Sequence, residues 1–315
     1  MNYAPLGTTG FNISPIVFGG NVFGWTLDEA ESFKILDAFI DHGFDAIDTA
    51  DVYSAWADGN SGGESETVLG NWFAARPGMR DKVKLFTKVG SDMGGDGQKG
   101  LGADWISAAI NKSLSRLQTD YVDLYFSHWP DDSVTHAETL GAYDALLKSG
   151  KIRAIGASNY DETLLRAALD TSVSEGLPAY QVIQPEYNLY DRDALDGGLR
   201  ELCLKKNIGV VTYFSLAAGF LSGKYRSKDD LAGRQRGGMV EKYLTERGMK
   251  LIDVLEDVAA LHNAKPAEVA LAWLIARDGV TAPIASATSL SQVESFAKAA
   301  ALSLTDEDMS RLTNA

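Results

Sequence analysis

The chain has 315 residues, of which 45% are hydrophobic and 23% charged, a balance that excludes disorder and describes a globular protein with a sizeable core. Its 43 acidic and 29 basic side chains leave a formal charge of −14, which repels nucleic acid and anionic membrane surfaces and favours a small-molecule partner. A single cysteine, Cys203, excludes an internal disulfide, and no Cys/His cluster has metal-ligand spacing. No run approaches the roughly 18 apolar residues of a membrane helix. The first residues lack the basic start and apolar stretch of a signal peptide, so a cytoplasmic location is expected.

The turn Leu6-Gly7-Thr8-Thr9-Gly10 between 3–5 and 11–13 reads as a short hairpin, suited to plugging the end of a barrel. Beyond it, short β-branched runs alternate with amphipathic segments. Ile16-Val17-Phe18 precedes a helix expected over 27–42, opened by Thr26-Leu27-Asp28-Glu29 as a capping box. Strands at 46–47, 83–87, 121–126 and 154–156 are followed by helices at 64–74, 104–117, 135–149 and 161–174. Strands at 181–183, 209–213 and 282–285 complete a set of eight, and Cys203 falls within a helix over 201–206 as a small buried residue. No tight two-residue turn joins these strands, so they require helical crossovers and parallel pairing. An eightfold β/α unit of this kind closes into a barrel, here a single domain over 1–315. The rival open sheet needs a glycine fingerprint after its first strand, and Phe18-Gly19-Gly20-Asn21-Val22-Phe23-Gly24 lacks that spacing. Two glycine-rich stretches, 90–102 and 215–238, are long enough to be functional loops. The literal G-x-G-x-x-G at 95–100 lies too far past its strand and does not open a helix, which makes it surface loop.

Reactive groups in a parallel barrel belong at the C-terminal ends of strands. Asp48, Lys88 and His128 end three consecutive apolar runs, and Tyr53 follows Asp48 by five positions. A phenol titrates near 10, and an adjacent ammonium favours its phenolate, so Lys88 is expected to lower the pKa of Tyr53. Asp48 would hold Lys88, and His128 would hydrogen-bond a substrate oxygen. Each residue alone has a structural explanation, but four together at three adjacent strand ends describe a carbonyl-reduction site. Phe23, Trp25, Trp56 and Trp129 follow these strands and are expected to wall an apolar pocket. A metal-dependent barrel hydrolase is disfavoured, because His42, His136 and His262 fall in or near helices.

Asp48-Thr49-Ala50-Asp51-Val52-Tyr53, Phe86-Thr87-Lys88-Val89-Gly90 and Ser127-His128-Trp129-Pro130 resemble the Asp, Tyr, Lys and His motifs of the aldo-keto reductases, and the likeness covers nearly the whole chain. The resemblance implies a (β/α)8 TIM barrel that reduces an aldehyde or ketone reversibly with NADPH, with Tyr53 as general acid and base. It implies that Ser158, Asn159 and Gln184 hold the nicotinamide carboxamide, that Tyr213 stacks on the nicotinamide, and that 217–225 fold over the pyrophosphate. Gly20, Asn21, Asp48, Ser215, Leu216 and Gly219 complete the implied cofactor site. Where the best-studied members carry a Lys and an Arg for the 2′-phosphate, this chain has Ser286 and Gln292. Ser286, Thr288 and Ser289, beside a helix N-terminus near Leu290, are alternative phosphate holders, with Arg234 and Arg236 as candidate replacements. NADPH is therefore expected, with NADH possible. The family also contains members resembling channel β-subunits, so a nicotinamide-cofactor-sensing regulatory subunit is the second expectation. The particular carbonyl and the oligomeric state stay open.

Overall fold

Short runs buried on both faces, each followed by a segment with one apolar face, satisfy their backbones as parallel strands under helical cover. In the computed structural model, which describes residues 1–315, they form a closed barrel. β1 (Ala4–Pro5) and β2 (Asn12–Ile13) make an antiparallel N-terminal hairpin. The barrel strands are β3 (Val17–Gly19), β4 (Ala46–Asp48), β5 (Lys84–Val89), β6 (Leu124–Ser127), β7 (Ile155–Ser158), β8 (Val182–Gln184), β9 (Gly209–Thr212) and β10 (Ala282–Ala285). All pair in parallel in chain order, and β10 closes the ring onto β3. The expected (β/α)8 barrel is therefore present.

Helices α1 (Glu29–Asp41), α2 (Glu64–Ala75), α3 (Ala103–Leu117), α4 (His136–Lys148), α5 (Glu162–Glu175) and α6 (Gly198–Lys206) each follow one barrel strand. The seventh crossover is longer, holding the glycine-rich loop and then α7 (Gly237–Val240), α8 (Glu246–Leu261) and α9 (Pro266–Ala276). α10 (Leu290–Ala301) follows β10, and α11 (Asp306–Thr313) comes last. Asp28, not Thr26, caps α1: its carboxylate accepts from the Glu31 amide at 2.8 Å, while Thr26 sits in the turn before it. β5 runs two residues past the expected end, because Lys88 and Val89 still pair with Phe126 and Ser127 of β6. Cys203 is buried in α6, and burial pushes its thiol up to about 12.

Side chains alternate across a strand, so each barrel strand contributes to two layers. Val17, Ala46, Phe86, Phe126, Val182 and Val211 pack into the barrel interior, and Leu6 and Ile13 of the hairpin join the same cluster as the expected plug. The intervening residues, among them Phe18, Ile47, Leu85 and Ile155, pack into the larger core that includes the helices. Gly156 leaves room for Phe126: a Cβ there would lie 2.4 Å from the phenyl ring.

Gly70 sets the approach of α2 to α3, since a Cβ on it would stand 2.0 Å from the Arg116 carbonyl oxygen and 2.8 Å from the Leu117 carbonyl carbon. Both are backbone atoms, so the helices would have to part. Gly141 in α4 has no such neighbour within 4 Å. In urea titrations, Gly70→Ala is expected to lower stability by about 3 kcal/mol, whereas Gly141→Ala is expected to raise it by about 0.5 kcal/mol through helix propensity.

Candidate active site

Two residues beyond the interior layer, the same inward parity brings Asp48, Lys88, His128, Ser158, Gln184, Tyr213 and Ser286 to the C-terminal mouth of the barrel. Asp48, Lys88, Ser158 and Gln184 lie inside their strands, while His128, Tyr213 and Ser286 stand one residue past theirs. The Asp48 and Lys88 side chains are buried to within 1% and meet at 2.6 Å. The ammonium spends its remaining donors on the Thr49 carbonyl at 2.8 Å and the Tyr53 hydroxyl at 2.8 Å. The Tyr53 hydroxyl in turn donates to the same Asp48 oxygen at 3.2 Å, and the Gln184 amide donates to the other one at 3.0 Å.

Burial, and then the charge of Asp48, push the Tyr53 phenol well above its ordinary value. The direction in the free protein is set by the dry surroundings and the shared carboxylate, with the Lys88 ammonium the one cation bonded to the phenol. Tyr53 therefore keeps its proton throughout the neutral range. Burial draws Lys88 down from its usual value, with Asp48 opposing that shift. Burial and the nearby Lys88 charge hold His128 well below its usual range, so the imidazole is neutral at neutral pH.

His128 stands with its ring centroid 6.0 Å from that of Tyr53, and its Nδ1 lies 3.0 Å from the Ser91 hydroxyl. Trp129, half exposed, stacks on the imidazole at 5.9 Å. Ser91 and Trp129 also line an open cavity of about 790 Å³ between the loops that follow β5 and β6. On the opposite flank, Trp25 meets Trp56 edge to face at 5.6 Å, and Trp56 meets Tyr53 at 6.0 Å. Phe23, expected in this wall, is instead wholly buried: its ring stacks on Phe18 at 5.3 Å and belongs to the core.

The polar groups at the other strand ends form one network. The Ser158 hydroxyl donates to the Gln184 carbonyl at 2.9 Å, and the Asn159 amide donates to the His128 carbonyl at 2.9 Å. The Tyr213 hydroxyl donates to Asn159 Oδ1 at 2.7 Å. Ser286 Oγ lies 2.7 Å from both the Gly19 carbonyl and Asn21 Oδ1, joining the first and last strands. Gly20 backs onto this seam, where a Cβ would stand 3.0 Å from the Asp48 carbonyl oxygen. Beyond β9, Ser215 is buried and donates to the Thr212 carbonyl at 3.0 Å. Leu216 and Gly219 belong to a stretch in which Phe214, Ala217, Ala218 and Gly219 all have positive φ, three of them without the freedom of glycine.

Thr288, Ser289 and Gln292 sit apart from that network, exposed at the start of α10, where the Gln292 carbonyl accepts from the Thr288 amide at 2.6 Å. Arg234 is exposed, whereas the Arg236 guanidinium is largely buried over the Trp25 ring at 5.5 Å and has no carboxylate partner. Sequence reasoning missed Ser91, the Thr49 carbonyl and the Gln184 bond to Asp48. Only Ser91 carried a signal, standing three residues past Lys88 in a strand-end loop.

A parallel barrel that holds a proton donor, an ammonium against it and a neutral imidazole at one mouth defines a class of barrel enzymes able to hand a proton to a substrate oxygen. The model of the Aldo/keto reductase family matches residues 15–315, so the chain belongs to that family and is an oxidoreductase. Over 320 aligned residues, spanning the whole chain and 95% of the relative, it is 32% identical to the uncharacterised oxidoreductase YrpG of Bacillus subtilis. It is 30% identical to norsolorinic acid reductase B of Aspergillus parasiticus over 96% of this chain and 81% of that one. It is also 29% identical to a probable voltage-gated potassium channel subunit beta of Arabidopsis thaliana over 95% of this chain and 91% of that one. No helix is long and apolar enough to cross a membrane.

The buried Asp48–Lys88 pair generates a stability prediction. Lys88→Met leaves a carboxylate in a dry site without its cation and is expected to cost about 4 kcal/mol in chemical denaturation. Adding Asp48→Asn removes that stranded charge, and the double variant is expected to regain about half of the loss.

Proposed function

We propose that the protein reduces an aldehyde or ketone to the alcohol, reversibly, with NADPH as the preferred reductant and NADH as a weaker one. The observation that carries this reading is the Tyr53 hydroxyl, held 2.8 Å from a fully buried ammonium at a barrel mouth. Members of this family use nicotinamide cofactors, and a bound NADPH would supply the hydride.

The residues suit such a group. Asn159 and Gln184 bring amides, Ser158 brings a hydroxyl and Tyr213 brings an aromatic face to the same strand ends, a set that fits a planar carboxamide ring. Gly19 and Gly20 present backbone there, since a Cβ on Gly19 would collide with Ser286 Oγ at 2.6 Å. The strained stretch 214–219, with Ser215, Leu216 and Gly219, forms the loop proposed to cover the phosphates. Arg236, a cation with no carboxylate of its own, is placed to answer their charge in an otherwise acidic protein. Thr288, Ser289 and Gln292 at the start of α10, with Ser286 just past β10, are proposed to meet the 2′-phosphate through hydroxyls and helix-end amides.

Tyr53 is the general acid. It holds its proton until a substrate oxygen gains charge, and Lys88 then stabilises the phenolate left behind, an interaction stronger in the transition state than before it. Asp48 keeps Lys88 charged and in place. The neutral His128, with Ser91 on Nδ1, offers Nε2 to the carbonyl oxygen. Trp25, Trp56 and Trp129 flank these groups as the apolar wall for a small-molecule carbonyl substrate.

Tyr53→Phe is expected to keep its affinity for NADPH, read by quenching of protein fluorescence, and to lose at least about 100-fold in carbonyl-dependent NADPH oxidation. Full activity in this variant overturns the assignment. The same assay run with NADH tests the cofactor preference. Turnover that stays negligible across aromatic and aliphatic carbonyls, despite tight NADPH binding, favours the cofactor-sensing subunit instead.

A further inference from the structure

Three buried carboxyl groups, the buried Lys88 and the partly exposed Arg116 surround the root of the site. Asp48 has Lys88, and Glu66 has Arg116 at 2.7 Å together with the Thr87 hydroxyl at 2.5 Å. Asp51 is the third carboxyl. It lies between Asp48 and Tyr53 in the chain and is 1% exposed, yet neither of its oxygens has a hydrogen-bond partner. Its backbone amide is tied to the Lys88 carbonyl at 3.4 Å, which fixes it beside the strand that carries the catalytic ammonium.

The charged and titratable groups that face it come from every neighbouring element: Lys88 from β5, Glu66 from α2, Arg116 from α3, Tyr125 from β6 and Tyr143 from α4. Both cations are already bonded to other carboxylates. The Tyr125 hydroxyl is itself buried without a partner. A carboxylate stripped of water, without a well-formed hydrogen bond and set near a second carboxylate is strongly disfavoured, whereas the neutral acid is tolerated. Burial first and Glu66 second push Asp51 well above the usual carboxylate range, with Arg116, the Val52 backbone amide and Lys88 opposing.

We propose that Asp51 is a buried protonated acid whose neutral carboxyl leaves the charge of Lys88 to Asp48 and Tyr53 alone. The kinetic part of this inference rests on the reading of Tyr53 as the acid; the protonation itself does not. The sign follows from the raised value. A carboxyl that is neutral at neutral pH, as proposed, ionises only as the pH rises. The new negative charge then strengthens the hold of Tyr53 on its proton and weakens it as an acid. Asp51 thus contributes an alkaline limb to carbonyl reduction.

Two measurements test this. Infrared spectra of the folded protein at neutral pH are expected to show a protonated-carboxyl C=O stretch that Asp51→Asn removes. The variant is expected to keep kcat within about twofold at neutral pH, with its alkaline limb moved to higher pH. Should the variant fail to fold, wild-type protein labelled at the aspartate carboxyl carbon serves instead: one aspartate resonance is expected to stay in the protonated position at neutral pH and to titrate above it. Absence of that resonance, or an infrared band unchanged in the variant, overturns the proposal. So does a loss of kcat of about tenfold or more at neutral pH with cofactor affinity intact, or a superimposable pH profile. Neither spectroscopic readout needs turnover, so a protein that reduces no carbonyl still tests the protonation of Asp51.

Discussion

Everything at the barrel mouth is organised around one dry ammonium. Lys88 has three N–H donors and a side chain with no exposure, and each donor is spent: on the Asp48 carboxylate, the Thr49 carbonyl and the Tyr53 phenol. A charge so deep is tolerated only when it is fully hydrogen-bonded. Full bonding also leaves it one orientation, so the phenol is held as firmly as the lysine. In the proposed reaction, the geometry of proton transfer is therefore a by-product of the need to bury a cation.

The electrostatics of the resting site run against simple intuition. A lysine beside a tyrosine suggests an acidified phenol, yet burial first and Asp48 second hold it well above its ordinary value. In the proposed reaction such an arrangement favours donation only once charge develops on a substrate oxygen, which is when a preorganised cation is worth most. The neutral imidazole of His128 belongs to the same logic, since a second cation beside Lys88 would compete with it.

Much of this was legible in the amino-acid order, and the residues show why. Asp48, Lys88 and His128 ended apolar runs, a local property that survives folding. The eight strands were legible through the alternation of β-branched runs with amphipathic segments, although their ends moved: β5 kept pairing through Lys88 and Val89, which only the neighbouring strand decides. Phe23 was misread because its place in the core depends on Phe18, a partner that sequence spacing does not specify. The bond from Gln184 to Asp48 spans 136 positions and leaves no local trace. Side chains that act through distant partners stay hidden until the ring closes.

The two-residue step that separates the packed interior of the barrel from its ring of polar groups has an evolutionary consequence. Each strand end is held in register by the layer beneath it, so the loops beyond can lengthen, shorten or change sequence without moving the atoms that do chemistry. A one-residue insertion within a strand is different: it turns the polar residue outward and an apolar one inward. Lineages built on this scaffold are therefore free to explore new substrates through the loops after β5, β6 and β9, while the strands beneath them tolerate substitution but not insertion.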